Sequence, residues 1–220
     1  MHFDDQNSYQ DSPLSAHMPR YNDIGGRLKL IAGLIVILLT WVSLGLGFIA
    51  FGLFLYLHIL LRQTQRLRHV SAEPVMMAPL DGQVLAVRLT NDGLQIDMKG
   101  DVFGSQIIYA PTQAVIEDKL WIDGTYLPFD DSAAHPLRAR YDFLIRTQTD
   151  DFVTLSLFGG QWTRYIHAPF IDGQKMQAGE PFAFGLGCSL LTLQLPARFS
   201  TNLSAGDICV AGQTILASKD

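Results

Sequence analysis

Near the end of the chain, "FGLGCSLLTLQLP" (184–196) sets two small nucleophilic side chains, Cys188 and Ser189, between a glycine-rich turn and an alternating strand. A hydroxyl or thiol becomes a nucleophile only when a neighbouring group takes its proton, so an acid–base partner must lie elsewhere in the sequence. Asp81, in the Pro-Leu-Asp-Gly turn of "MMAPLDGQV", is one candidate, and His135 ("SAAHPLRAR") and His167 ("RYIHAPF") are others. Each also has a plain structural reading. Asp-Gly is an ordinary turn pair, loop histidines are common, and small residues suit a crowded strand. Neither the strand–GxSxG–helix elbow nor a phosphate loop is present, because the glycines are wrongly spaced and a strand follows them.

Composition narrows the chemistry further. The formal net charge is −5 and no basic face is legible, which excludes nucleic acid as a partner. Two cysteines, Cys188 and Cys209, lack CxxC or Cys/His spacing, so no metal site is expected. The remaining histidines are His2 and His17 in the N-terminal tail, His58 within the apolar run and His69 at its exit. The basic residues cluster instead around that run, with Arg27 and Lys29 before it and Arg62, Arg66 and Arg68 after it.

From Leu30 to Leu61 there is no Asp, Glu, Lys or Arg. As one straight helix the run would reach roughly 48 Å, against a hydrocarbon core of ~30 Å. Gly45, Gly47 and Gly52 near its middle predict two short legs meeting at a turn, with both basic flanks on the cytoplasmic face. The expected organisation is therefore a flexible polar tail over 1–26, a membrane-associated helical hairpin over 27–69 and a β-domain over 70–220.

Within that last stretch the texture is short β-type runs separated by Gly, Asp and Pro turns, including "GQVLAVRL", "AVIEDKLWI" and "FVTLSLF". This predicts a mainly β fold, a compact barrel or sandwich. "GQKMQAGEPFAF" (173–184) and "GDICVAGQTILA" (206–217) also align without a gap. Each reads as strand, Ala-Gly turn, strand, in the manner of lipoyl-like hairpins.

Taken together, these features resemble the short bacterial type of phosphatidylserine decarboxylase. An apolar hairpin with a basic exit is followed by "APLDGQV", then by "MQAGEPFAFGLGCSLLTLQLP" and "SAGDICVAGQTILA", in the order and spacing of that family. The resemblance implies self-cleavage: the Ser189 hydroxyl attacks the preceding carbonyl, the ester eliminates, and Ser189 becomes a pyruvoyl group that accepts a substrate amine as a Schiff base. Asp81 would be the acidic partner, pyruvate the cofactor, and a phospholipid of the inner membrane the substrate, with the β-domain facing the cytoplasm. The sequence leaves a homo-oligomer open.

Two departures stand out. Cys188 occupies the position of the family's glycine, and aligning "GSQIIYAP" puts Gln106 at the family histidine and Tyr109 at a usual arginine. A carboxamide cannot relay a proton near neutral pH. His135 or His167 would have to supply the base, or Cys188 would itself act as the nucleophile. Otherwise the chain is an unprocessed homologue that binds lipid headgroups or a membrane partner. A third reading, an adaptor module, rests on the internal echo alone.

Overall fold

The computed structural model describes residues 21–60, 75–101, 104, 106–126, 137–160, 166–168, 172–185 and 190–219. The chain divides into two compact units, Met1–Arg62 and Gln63–Asp220. The first contains α1 (Tyr21–Val42), largely apolar from Leu30 onward, and α2 (Leu44–Leu60), apolar throughout but for His58 and Tyr56. They are separated at Ser43, just ahead of the predicted glycine turn, and the Ser43 carbonyl accepts the N–H of Gly47 at 3.0 Å as an N-cap residue's does. A side chain at Gly47 would collide with Thr40, and one at Gly33 would touch Phe54, so the two helices pack on each other through their small residues. Their outer surfaces stay apolar, with Trp41 92% and Val42 72% exposed. No described helix is long and apolar enough to cross a membrane.

The second unit is built from strands. These are β1 (Val75–Met77), β2 (Gly82–Thr90), β3 (Gly93–Gly100), β4 (Ile107–Tyr109), β5 (Ala114–Ile122), β6 (Arg140–Thr147), β7 (Phe152–Phe158), β8 (Ile166–His167), β9 (Lys175–Met176), β10 (Pro181–Gly185), β11 (Leu190–Leu195), β12 (Phe199–Ser200), β13 (Ile208–Cys209) and β14 (Ile215–Lys219). They form an eight-stranded sheet in the order β13-β2-β3-β11-β7-β6-β5-β9 and two three-stranded sheets, β1-β14-β12 and β4-β10-β8.

That order reads the same from both ends. One half of the unit is β1, β2 and β3 continued by β11 to β14; the other is the uninterrupted succession β4 to β10, inserted between β3 and β11. β1 corresponds to β4, β2 to β5, β3 to β6 and β11 to β7, while β12, β13 and β14 correspond to β8, β9 and β10. The detail matches as well as the order. β2 carries a bulge between Val84 and Ala86 and β5 one between Ile116 and Asp118. Ile208 pairs with Gln83 on one edge and Lys175 with Val115 on the other. At the centre the halves exchange hydrogen bonds, Met77 N–H to the Pro111 carbonyl at 2.7 Å and Tyr109 N–H to the Pro79 carbonyl at 2.7 Å.

The core lies on one face of the large sheet, where period-two alternation places Val84, Ile96, Met98, Leu193, Leu155, Ile145 and Ile116, all fully buried or nearly so. The opposite face is polar. There the buried Asp97 accepts from Thr192 at 2.8 Å and Gln95 at 2.9 Å and pairs with Arg88 at 3.0 Å, as a buried carboxylate must.

The mainly β class and the strand runs agree with the sequence reading, but the closed barrel does not. The large sheet is open, because its edges are the two-residue strands β13 and β9, which among the described residues pair only with β2 and β5. The lipoyl-like hairpins are corrected too. The echo does consist of strand, Ala-Gly turn, strand, but β9 and β10 belong to different sheets, as do β13 and β14. Gly179 and Gly212 adopt left-handed φ values of 72° and 67°, which turns the chain out of one sheet and into another. A Cβ on Gly212 would lie 3.9 Å from the Gly179 Cα, so the two turns meet.

Gly179→Ala and Gly212→Ala should each lower stability by about 1–2 kcal/mol, the cost of left-handed backbone in a residue with a Cβ. Equal falls in the urea midpoint at unchanged m-value are expected; an unaltered midpoint in either variant would contradict the equivalence of the turns.

Candidate functional site

Because one half is inserted in the other, the chain crosses between them twice, once over residues 101–106 and once over 186–189. Every residue that the sequence singled out for chemistry, His135 and His167 apart, lies in or against one of these joints. Cys188 and Ser189 belong to the second joint and fall outside the described residues, as does His135.

Asp81 is half-buried in the turn that links β1 to β2. Its Oδ1 accepts the N–H of Ala211 at 2.9 Å, and its carbonyl accepts the N–H of Asp101 at 2.8 Å. The carboxylate is thus oriented by the turn between β13 and β14, while its backbone is tied to the first joint. That joint closes on it: a Cβ on Gly104 would come 2.8 Å from the Asp81 Cβ, so only glycine permits the approach. The Pro-Leu-Asp-Gly turn fixes this geometry locally, and Ala78 extends the tie by donating to the Thr214 carbonyl at 2.8 Å.

Gln106 stands at the other side of Gly104. It is buried, its Nε2 donates to the Gly104 carbonyl at 3.1 Å, and its own carbonyl accepts the N–H of Gly185 at 3.1 Å. Asp81 and Gln106 therefore share Gly104 as a common neighbour, and Gln106 also ties the first joint to the end of β10. β10 runs between β4, which Gln106 precedes, and β8, in which His167 is the register partner of Phe184. His167 is thereby placed on the strand beside β10, and Gln106 directly ahead of the strand on its other side.

Beyond the second joint, Leu190 opens β11 with Lys99 as its register partner on β3 and Phe158 on β7. Lys99 in turn pairs with Gln83, and Gly100 with Gly82. The start of β11 thus shares a sheet end with Asp81 and Asp101. Among the described residues no group of three or more His, Cys, Asp or Glu could hold a metal ion. Cys209, the register partner of Gly82, is buried, and burial reinforced by Asp207 pushes its thiol above the ordinary value, which suits packing and not nucleophilic attack.

The sequence missed Gly104, Ala211 and Asp101 as partners of Asp81. Gly104 was legible only as the glycine of "GSQIIYAP", and a backbone N–H such as that of Ala211 carries no side-chain signal at all.

No family model matches the chain. Individual proteins do. A phosphatidylserine decarboxylase proenzyme of Azorhizobium caulinodans is 28% identical over 86% of this chain and 85% of its own length. The proenzyme of the same name from Geotalea uraniireducens is 26% identical over 94% of this chain and 97% of its length. That of Nitrosomonas eutropha is 28% identical over 64% and 68%. The likeness covers most of the chain, which is similar to these phosphatidylserine decarboxylase proenzymes, and it supports the family that the chain's motifs resemble.

Proposed function

We propose that the protein is a membrane-associated decarboxylase of phosphatidylserine, yielding phosphatidylethanolamine after self-cleavage at Ser189. The observation that carries this reading is the setting of Asp81: its carboxylate accepts the Ala211 N–H and Gly104 approaches its Cβ too closely for any side chain, at the joint beside the sheet end where β11 begins. A turn aspartate with a purely structural role needs no such double constraint. Asp81 would orient and accept protons at the serine hydroxyl, and the half-buried setting would keep bulk water from the ester. A pyruvoyl group derived from Ser189 would supply the electron sink for loss of carbon dioxide. The exposed apolar surfaces of α1 and α2 support anchoring as a hairpin dipped into the cytoplasmic leaflet, flanked by arginines that suit anionic headgroups.

Gln106 favours a second reading, an unprocessed homologue that binds headgroups without chemistry. Its carboxamide is buried and donates to the Gly104 carbonyl, where the family histidine would offer a titratable nitrogen.

The intact mass of the purified chain separates the two. Under the first reading two fragments appear, the smaller starting at residue 189 and blocked by pyruvoyl, and Ser189→Ala remains whole; a wild-type chain that stays full length sinks it.

Gln106→His should speed processing by about 100-fold or more, the ordinary worth of a positioned general base. Because only neutral imidazole accepts a proton, the gain should grow as pH rises through about 6.5 and level off above it. Rates equal to wild type at pH 8 would show that residue 106 does not face the reacting hydroxyl.

Gly104→Ala should slow processing by about 100-fold through displacement of Asp81. Unchanged fragment yield over the same time course would remove Asp81 from the reaction.

A further inference from the structure

The two halves of the β-unit present the same corner twice, with different side chains at its bulge and its edge strand. In the inserted half, three strands in register bring Lys175 of β9, Val115 of β5 and Arg146 of β6 side by side, with Glu117 at the bulge of β5. Arg146 is bound by Glu117 and, at 3.2 Å, by Asp150, so the corner is a closed cluster of opposite charges. In the other half the same places are taken by Ile208 of β13, Gln83 of β2 and Lys99 of β3, with Leu85 at the bulge.

Here the carboxylate of the bulge has become a leucine and the lysine of the edge strand an isoleucine. Ile208 is 81% exposed and Leu85 42%. Lys99 is exposed and forms no ion pair among the described residues. The charged version of the corner keeps the same strand register, so the backbone does not require the apolar one. An edge strand ending in an exposed isoleucine also invites unwanted pairing, which the lysine of the inserted half guards against. Exposed apolar residues beside an uncompensated cation match the chemistry of a phospholipid surface, which offers an apolar boundary under a layer of phosphates.

The position agrees. Cys209, next to Ile208, pairs with Gly82, and Lys99 pairs with Leu190, so the corner lies between Asp81 and the start of β11. We propose that the corner formed by Leu85, Lys99 and Ile208 docks on the bilayer, Ile208 and Leu85 entering its interfacial region and Lys99 pairing with a lipid phosphate. Docking in this way turns the Asp81 joint toward the lipid headgroups. The inference rests on the membrane-associated reading above, but not on self-cleavage.

Its test uses the full chain bound to vesicles of phosphatidylcholine and phosphatidylglycerol, some carrying bromine on the upper acyl carbons. Ile208→Trp and Lys175→Trp place a fluorophore at the two equivalent sites, both exposed enough to accept it, and the parent spectrum is subtracted. The Ile208→Trp emission should shift to the blue and lose most of its intensity to brominated lipid, while Lys175→Trp stays open to aqueous iodide. Lys99→Glu in the Ile208→Trp background should relieve the bromine quenching on anionic vesicles. Quenching by iodide alone at Ile208→Trp overturns the proposal. So does protection from both quenchers, which would mean that a second copy or another protein covers the corner. Vesicle flotation is read first: a chain that does not float fails the membrane reading itself, whereas one that floats with an unquenched Ile208→Trp fails only this inference.

Discussion

Beyond the ladder between β11 and β7, four backbone groups join the two halves of the β-unit: the Met77 and Tyr109 amides and the Pro111 and Pro79 carbonyls that receive them. The exchange works because each Ala-Pro pair follows a strand too short to satisfy its own last amide, so each half completes the other. Proline suits both places, since it donates nothing and its preset φ ends the strand. The left-handed turns at Gly179 and Gly212 meet close by, and Gly179 and Gly212 donate to the Ala110 and Ala78 carbonyls at 2.9 and 2.8 Å. The crossing of chain between sheets, the palindromic strand order and the position of the joints all follow from this arrangement.

A symmetric scaffold does not make a symmetric protein, and the differences are where chemistry enters. Asp81 has Gln113 as its counterpart in the inserted half, since Asp81 follows Ala78-Pro79-Leu80 as Gln113 follows Ala110-Pro111-Thr112. The first joint, with Gly104 and Gln106, exists only because one half interrupts the other. An insertion of this kind brings two loops together that would otherwise each close a simple hairpin, and a site assembled from several distant segments follows without any new element.

The sequence displayed the strands well, because alternation with period two survives wherever one face of a sheet is buried. It also displayed half of the duplication. The echo between 173–184 and 206–217 was visible because glycine has no substitute in a left-handed turn. The matching echo between "MAPLDGQV" and "YAPTQAVI" was not, since the constraint there falls on amides and carbonyls, which most side chains leave unaltered. Barrel closure was misjudged for a related reason: alternation identifies strands without identifying their neighbours, and the shortness of β9 and β13 shows only in the pairing. At the site, Asp81 and Gln106 were legible as residue types, whereas their common contact with Gly104 is a matter of three-dimensional approach.

The place of β11 bears on whether such a fold could survive a cut ahead of Ser189. A peptide beginning there would contain β11 to β14, and β11 lies inside the large sheet, bonded to β3 on one side and β7 on the other. The same peptide carries Arg198 and Lys219, which both pair with the buried Asp151, and Thr149 donates to that carboxylate at 2.7 Å. Asp151 directly precedes β7 as Ser189 directly precedes β11. One half thus fills its strand entry with a carboxylate that grips the C-terminal segment, while the other leaves a hydroxyl at its own. Separation would expose a full strand's hydrogen bonds on two neighbours and a buried charge besides, and breaking a buried pair is among the costlier losses a protein can suffer. A backbone severed ahead of Ser189 would therefore leave the strand beyond the cut held from both sides.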